Sequence, residues 1–177
     1  MQRRPPSGLR PSPSDHAVRR ASETMADVLV KLYELKETPG DIVGVEIRRP
    51  LPHEKAIVKQ WIATTFSEGW SEEFECSFKS FPVTSLIALR NDKLVGFACY
   101  DVTCRGYFGP TGVVESERGK GIGTELLIRS MLGLRELGYA YAIIGWAGPM
   151  DFYVKTLGAI PIPGSSPGTY PRKPARD

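Results

Sequence analysis

Histidine and cysteine are scarce in this sequence, which has two histidines and three cysteines among 177 residues. His16 and His53 provide almost no material for a structural zinc site or for a Ser-His-Asp triad. Cys76, Cys99 and Cys104 are odd in number, show no Cys-x-x-Cys spacing and lie in apolar surroundings, so we expect small core residues. The sequence therefore predicts no metal and favours a reducing, cytoplasmic location.

Long apolar runs and an excess of charge on the body are also missing. No segment approaches the ~20 apolar residues of a transmembrane helix, so we expect no membrane partner. Residues 1–24 hold five arginines against two acidic residues, a net of +3, which leaves 18 of the 23 basic and 18 of the 20 acidic residues for the remainder. A nucleic-acid-binding face on the folded body is therefore not predicted.

Residues 1–24 are rich in proline and arginine and poor in apolar residues, a composition typical of disorder. They are short of acidic residues like a transit peptide, but their prolines oppose the amphipathic helix that such a peptide needs, and a start at Met25 also fits. We expect a single domain over 25–164 and a loosely held tail, rich in proline, glycine and serine, over 165–177.

Alternating patterns, helical spacing and turn residues divide the body into strands and helices. We expect strands over 28–35, 43–48, 83–90, 93–103, 107–114, 139–146 and 159–163, and helices over 52–66, 70–81, 122–137 and 148–157. Asn91-Asp92 joins two strands in a hairpin, and Gly109-Pro110 must interrupt the pairing of its strand on one side. The predicted fold class is α/β (mixed α+β), with a mixed sheet and helices on both faces.

The most informative motif is Arg118-Gly-Lys-Gly-Ile-Gly123, called the glycine turn below, which joins a predicted strand to a long amphipathic helix. Glycines allow close backbone approach, and free N–H groups at a helix N-terminus favour an anion. Arg118 and Lys120 add positive charge. The spacing does not match a P-loop, and Thr124 stands where a dinucleotide fingerprint needs its last glycine. We therefore expect an anionic ligand that carries a diphosphate.

From about Val43 to Pro163 the chain resembles the GCN5-related N-acetyltransferase (GNAT) family. The resemblance rests on the hairpin, the glycine turn, the buried strand that ends at Gly145-Trp146, and 151–159, which is similar to the family's Phe-Tyr-x-x-x-Gly helix. It implies a three-layer fold whose twisted, mostly antiparallel sheet contains a splayed pair of strands. It also implies acetyl-coenzyme A (acetyl-CoA) as co-substrate between those strands, without a metal.

The resemblance further implies roles for individual residues. The backbone of the glycine turn is expected to hold the diphosphate, and the N–H of Val113 or Val114 to bind the thioester carbonyl and stabilise its developing negative charge. Tyr153 aligns with the general acid that protonates the departing thiolate, and the alternative is an aromatic residue that packs on the sheet beside Phe152. The implied cofactor-binding residues are Val113, Val114, Arg118, Gly119, Lys120, Gly121, Ile122, Gly123 and Thr124.

Two positions depart from the family's pattern. Gly148-Pro149 stands where members often carry asparagine shortly before the last helix, which leaves one pantetheine contact open. Glu115 replaces a common proline, and neither change touches the backbone of the glycine turn.

The acceptor and the general base are less well defined. Trp70 and Glu73, on the segment that borders the acceptor cleft in the family, and Asp101, at the end of a hairpin strand, are the candidate substrate-binding residues. Further acidic candidates are Glu68, Glu72 and Glu75. Deprotonating an amine of pKa near 10.4 at pH 7 costs ~4–5 kcal/mol, against ~1.4 kcal/mol for an amine near 8, so the lack of an identified base favours a low-pKa amine.

The expected function is acetyl transfer to a primary amine of a small molecule in a ternary complex, with amino sugars ahead of polyamines, in a bacterial protein. Protein N-termini or lysines as acceptors, and a sensor that binds acyl-CoA without turnover, stay open as alternatives. Because the C-terminal segment is short and rich in proline and glycine, the final strand of the family's sheet is uncertain. A partner chain, as in a homodimer, is a candidate to complete it.

Overall fold

The computed structural model describes residues 25–148, 150–166 and 168. Within them the chain forms a seven-stranded sheet in the order β2-β3-β4-β5-β6-β1-β7. The strands are β1 (Val28–Lys31), β2 (Glu46–Arg48), β3 (Ser85–Arg90), β4 (Lys93–Tyr100), β5 (Tyr107–Val113), β6 (Tyr141–Ile144) and β7 (Ile160–Pro161). All neighbours are antiparallel except β5 and β6, which are parallel. The predicted mixed, mostly antiparallel sheet is confirmed.

The described residues also form four α-helices, close to the predicted ranges. They are α1 (Lys55–Thr65), α2 (Glu68–Cys76), α3 (Ile122–Glu136) and α4 (Met150–Leu157). One turn of 3-10 helix precedes α1 and another follows α2. The predicted start of α2 at Trp70 is two residues late, because the Ser67 side chain caps the helix by accepting from Trp70 N at 3.2 Å.

The longest of these helices, α3, borders the glycine turn. Its helical spacing buries an apolar face that includes Ile122, Leu126, Met131 and Leu134. At its end Gly138 has a φ of +92°, and Tyr139 N donates to Leu134 O at 3.2 Å. A left-handed glycine with this hydrogen bond is a common way for a helix to end, so the predicted terminator is confirmed.

Helices cover both faces of the sheet. α1 and α2 pack over Ile87 and Phe97, whereas α3 packs over Leu86 and Ala98. Successive residues of a strand point to opposite faces, so the alternation in β3 and β4 separates two apolar cores. The predicted three-layer arrangement is confirmed.

The first strand differs most from the sequence-based expectation. The predicted strand over 28–35 ends at Lys31, and a 3-10 turn, Leu32–Glu34, follows it. β1 lies inside the sheet, antiparallel to both β6 and β7, with Val28 opposite Ile144 and Pro161. The position next to β6 is therefore filled by the chain itself.

Several expected boundaries fall outside the described residues, namely residues 1–24, Pro149, and most of the tail after 166. Ser165, which the sequence assigns to the loosely held tail, contacts the body because its Oγ accepts from Asp27 N at 2.9 Å. None of the helices in the described ranges is long and apolar enough to cross a membrane.

Candidate active site

β5 and β6 separate after a short paired stretch. Only Tyr107 and Phe108 of β5 pair with β6, which ends at Ile144, whereas β5 continues to Val113. On its other side β5 stays paired with β4, apart from a register shift opposite Gly109-Pro110. Among the described residues, the second half of β5 therefore has one side without a strand partner, called the β5 gap below. This is the expected splayed strand pair.

The two candidate amides at the end of β5 face in opposite directions. Val114 N donates to Val95 O of β4 at 2.9 Å. Because the hydrogen-bonding direction alternates along an antiparallel strand, the polar groups of Val113 face away from β4 and towards the β5 gap. The contact of Arg118 Nε with Val113 O, at 3.1 Å, is consistent with this direction. Of the two candidates, Val113 alone directs its N–H to the gap.

The glycine turn presents a row of unused backbone donors. None of the N–H groups from Gly119 to Thr124 donates to an oxygen in the part of the chain that the structure describes. Gly119 and Gly121 are exposed, with φ values of +74° and +86° that disfavour any side chain. The row lies at the N-terminus of α3, where the helix dipole is positive, so it fits a diphosphate.

A group of charged side chains flanks this turn. Glu117 accepts from Lys120 Nζ at 3.1 Å and from Arg90 Nε at 3.0 Å. The hydrogen bond from Lys120, with the charge of Arg90, lowers the pKa of Glu117. Sequence analysis did not identify Arg90 or Glu117, since the contact joins residues 27 positions apart. Lys120 is half exposed and is held close to the turn.

Tyr153 lies on α4 with 8% of its surface exposed. Its ring packs edge-on against Phe152, with centroids 5.2 Å apart, and it belongs to the larger apolar core, against which Val113 and Val114 also pack. Burial raises the pKa of Tyr153, so the hydroxyl keeps its proton at neutral pH. The structure thus places a protonated phenol in the core that the end of β5 contacts.

An aromatic group reaches β5 from the α1 and α2 side. Phe66 packs so closely on Gly112 that a Cβ at that position would lie 2.7 Å from the Phe66 ring. The ring of Trp70 lies 5.7 Å from that of Phe66 and 6.1 Å from that of Phe97, and Trp70 is 37% exposed. Trp70 is therefore the accessible part of an aromatic wall that touches β5 next to Val113.

Asp101 stabilises the connection between β4 and β5. Its side chain is 3% exposed and accepts from Arg105, Gly106 N and the Tyr139 hydroxyl at 2.7, 2.7 and 2.8 Å. These three contacts occupy the carboxylate, and they give Asp101 a structural role in a tight turn where its own φ is +59°.

The acidic residues of α2 also differ in their contacts. Glu75 pairs with Lys55 and Lys59, which hold the pKa of its carboxyl at about 2, and Glu72 pairs with Lys59 at 3.0 Å. Glu73 accepts a hydrogen bond from the Thr103 hydroxyl. No group of three or more metal-binding side chains occurs in the described ranges.

The family assignment follows from a comparison of the sequence with protein-family models. The model described as "Acetyltransferase (GNAT) family" matches residues 55–158, which is more than half of the chain and includes the glycine turn. The chain belongs to the GNAT family. The description of that family names acetyltransferases, which are acyltransferase enzymes. No curated protein matches this GNAT chain in sequence.

Solved structures share its fold but little of its sequence. A GCN5-related glucosamine N-acetyltransferase region of a fungal multi-domain β-N-acetylglucosaminidase has a TM-score of 0.63 at 15% identity, covering 86% of this chain and 22% of that chain. A GCN5-related N-acetyltransferase from Sphaerobacter thermophilus has a TM-score of 0.60 at 19% identity, covering 84% and 53%. A tandem GNAT protein from the clavulanic acid biosynthesis pathway has a TM-score of 0.54 at 16% identity, covering 88% and 57%.

This GNAT chain thus spans about half the length of two of these proteins and less of the third. At such identities the likeness shows the fold, whose splayed strands and glycine turn form the candidate site.

Proposed function

We propose that the chain is an acetyl-CoA-dependent N-acetyltransferase that acts on the primary amine of a small molecule. The proposal rests on the presence of two sets of backbone donors. One is the row of N–H groups from Gly119 to Thr124, and the other is the Val113 amide at the β5 gap. This arrangement fits a long donor with a diphosphate at one end and a carbonyl at the other. Membership of the GNAT family supports the same donor.

The glycine turn supplies the anion site. Its N–H groups and the dipole of α3 bind diphosphate oxygens at the protein surface. Lys120 adds positive charge, and its contact with Glu117 keeps that charge beside the turn. Arg118 contributes by holding the Val113 carbonyl, which orients the end of β5.

Bound acetyl-CoA supplies a thioester carbonyl and a thiolate leaving group. The Val113 amide donates to the carbonyl oxygen, and this contact strengthens as negative charge develops there. Tyr153 gives its proton to the departing sulfur, a role that typically contributes ~10²–10⁴-fold. Because donor and acceptor are held together, the attack of the amine becomes effectively unimolecular.

The proposed acceptor is an amine of low pKa, with an amino sugar favoured. Asp101, Glu72 and Glu75 are committed to other contacts, so most of the candidate acids are unsuited to act as a base. An amine near pKa 8 needs only ~1.4 kcal/mol to lose its proton at pH 7. Trp70 supports a sugar because it is 37% exposed and packs on Phe66, which contacts β5 at Gly112.

Release of free thiol from acetyl-CoA, measured with the full chain and a panel of amines, tests the proposal. We expect release with amino sugars to exceed that with spermidine or a lysine peptide. Binding of coenzyme A without release for any amine would indicate a sensor instead. Calorimetry that detects no binding to the folded protein would remove the donor assignment altogether.

A matched pair of glycine variants tests the position of the anion site through their binding of coenzyme A. Gly121→Val places a β-branched side chain at a φ of +86° and is expected to weaken coenzyme A binding by at least about tenfold. Gly69→Ala, at an exposed position of α2 with no atom near its Cβ position, is expected to bind like the wild type.

A further inference from the structure

Residues 40–45, called the bracing segment, lie beside the glycine turn. Val45 N donates to Ile42 O at 2.9 Å, and Gly44 has a φ of +71°, so the segment folds back on itself. Ile42 Cδ1 lies 3.8 Å from the position that a Cβ on Gly121 would take. The bracing segment therefore flanks the residue at which α3 begins.

Glu125, in the first turn of α3, holds the start of this segment. Its side chain is 8% exposed, and both carboxylate oxygens lie 3.0 Å from Gly40 N. Arg129, one turn later, donates to Glu125 at 2.6 Å and to Gly40 O at 3.0 Å. A buried carboxylate is tolerated only when it is paired and hydrogen-bonded, and Glu125 meets this condition by pairing with Arg129 and accepting from Gly40 N of the bracing segment.

A second attachment lies at the other end of the segment. Arg90 donates to Val43 O at 3.2 Å and to Glu117 at 3.0 Å. Glu117 in turn contacts Lys120. Polar contacts therefore join the start of the bracing segment to α3 and, through Arg90 and Glu117, join Val43 to the glycine turn.

Apolar packing holds the bracing segment only at Ile42 and Val45, which are partly buried against the larger core. Asp41, Val43 and Gly44 are exposed, Val43 to 94%. A cleft of about 340 Å³, lined partly by Ile42, Val45 and Arg129, adjoins the segment. The contacts made by Glu125 and Arg90 add to this packing and fix the remaining part of the segment.

We propose that Glu125 is a positioning residue for the diphosphate end of the donor. By accepting hydrogen bonds from Gly40 N, its carboxylate keeps Ile42 packed beside Gly121 and keeps the N–H groups of 119–124 aligned. The inference rests on the proposed function, because it assumes that this row binds the coenzyme. It predicts a defect confined to donors that carry the diphosphate.

The experiment compares Glu125→Gln and Ile42→Ala with Val43→Ala as matched control, using the full chain. Glu125→Gln removes the negative charge that pairs with Arg129. Ile42→Ala removes the apolar side chain beside Gly121 and leaves every ion pair intact. Val43 is the neighbouring residue, and its side chain is in solvent. Binding of coenzyme A is measured by calorimetry. Turnover is measured with acetyl-CoA and with S-acetyl-pantetheine, a donor without the diphosphate and nucleotide.

Glu125→Gln is expected to raise the Kd for coenzyme A by about tenfold and Ile42→Ala by about threefold, since small displacements of a binding group have large effects. Val43→Ala should bind like the wild type. kcat/KM with S-acetyl-pantetheine should be unchanged in all three variants.

Wild-type affinity in both Glu125→Gln and Ile42→Ala would overturn the positioning role, and so would an equal loss with both donors. A wild type that binds no coenzyme A would overturn the proposed function and this inference with it. If Glu125→Gln does not fold, Ile42→Ala still decides between these results.

Discussion

At the scale of single residues, Tyr153 is the group whose protonation bears on the reaction. It is almost fully buried, and burial raises its pKa above the ordinary tyrosine value of ~10, so the hydroxyl is protonated at neutral pH. A donor to the departing sulfur must be protonated when the thioester breaks, and Tyr153 meets that condition.

Tyr153→Phe removes this hydroxyl and keeps the ring in its place against Phe152. We expect turnover to fall by about 10²-fold or more, with an unchanged Kd for coenzyme A. Steady-state kinetics and calorimetry measure the two quantities. Tyr33→Phe, at a residue 57% exposed, serves as the control with normal turnover. Equal turnover in Tyr153→Phe and wild type would remove the assigned role.

Glu54 shows how an ion pair makes stability depend on pH. Both carboxylate oxygens accept from Arg48 at 2.7 Å, and one also accepts from Leu51 N at 2.7 Å. The hydrogen bonds from Arg48, with that from Leu51 N, lower the pKa of Glu54 to about 2. Because the folded pKa lies below that of the unfolded chain, the stabilisation is present above the unfolded value of ~4.3 and is lost as the pH falls towards 2.

Glu54→Gln is therefore expected to lower the free energy of unfolding by about 1–3 kcal/mol at pH 7. The difference from wild type should shrink between pH 4 and about 2. Urea titrations at a series of pH values measure it. Glu46→Gln removes a carboxylate that also contacts Arg48 but is 62% exposed, and it should have little effect. If Glu54→Gln stayed less stable than the wild type by the same amount at about pH 2, the dependence of stability on the ionisation of Glu54 would be contradicted.

At the scale of elements, two helical glycines of similar appearance in the sequence have opposite surroundings. A Cβ on Gly133 of α3 would lie 2.5 Å from the Tyr100 hydroxyl, which is buried and bonded to Arg49. A Cβ on Gly69 of α2 would meet nothing within 4 Å. Only the first glycine is required by packing.

Gly133→Ala should destabilise the protein, because overpacking costs typically ~1–3 kcal/mol against a gain of about 1 kcal/mol in helix propensity. Gly69→Ala should stabilise it by ~0.5–1 kcal/mol. Chemical denaturation of the two variants measures both changes in the free energy of unfolding and their signs. Stabilisation by Gly133→Ala would show that Tyr100 can move aside.

The elements themselves were largely predictable, since their signals are local. Helical spacing with Gly138 as terminator located α3, and Asn91-Asp92 located the β3–β4 hairpin. The predicted strand over 28–35 is too long, because the observed strand ends at Lys31. Its apolar residues continue through Leu32, but the backbone turns there to leave the sheet, and no local pattern marks that point.

At the scale of the whole molecule, β1 connects distant parts of the chain. It pairs with β6 and β7, and Val28, Val30 and Leu32 are fully buried. Asp27 adds a contact by accepting from Trp146 N at 2.8 Å. The first residues of the described chain thus stabilise the strand that borders the β5 gap.

Deletion of residues 1–34 is therefore expected to prevent stable folding. Three buried apolar side chains at ~1.5–3 kcal/mol each account for much of the ~5–15 kcal/mol stability of a typical domain. Deletion of residues 1–24, whose composition predicts disorder, should leave the thermal midpoint and coenzyme A binding unchanged. Circular dichroism melts compare the two. Equal stability of both deletions would mean that β1 is dispensable.

The sequence by itself determined the features that neighbouring residues encode: the order of strands and helices, the glycine turn, and the row of amides that opens α3. Only the tertiary structure decided that β1 lies between β6 and β7, that the N–H of Val113 rather than of Val114 faces the β5 gap, and that Glu125 accepts from Gly40 N. The physical reason is that periodicity reports which face of an element is apolar, whereas strand partners, register and side-chain contacts depend on residues far away in the chain. Glu125 and Glu136 look alike in the helical pattern of α3, and only the approach of the bracing segment distinguishes them.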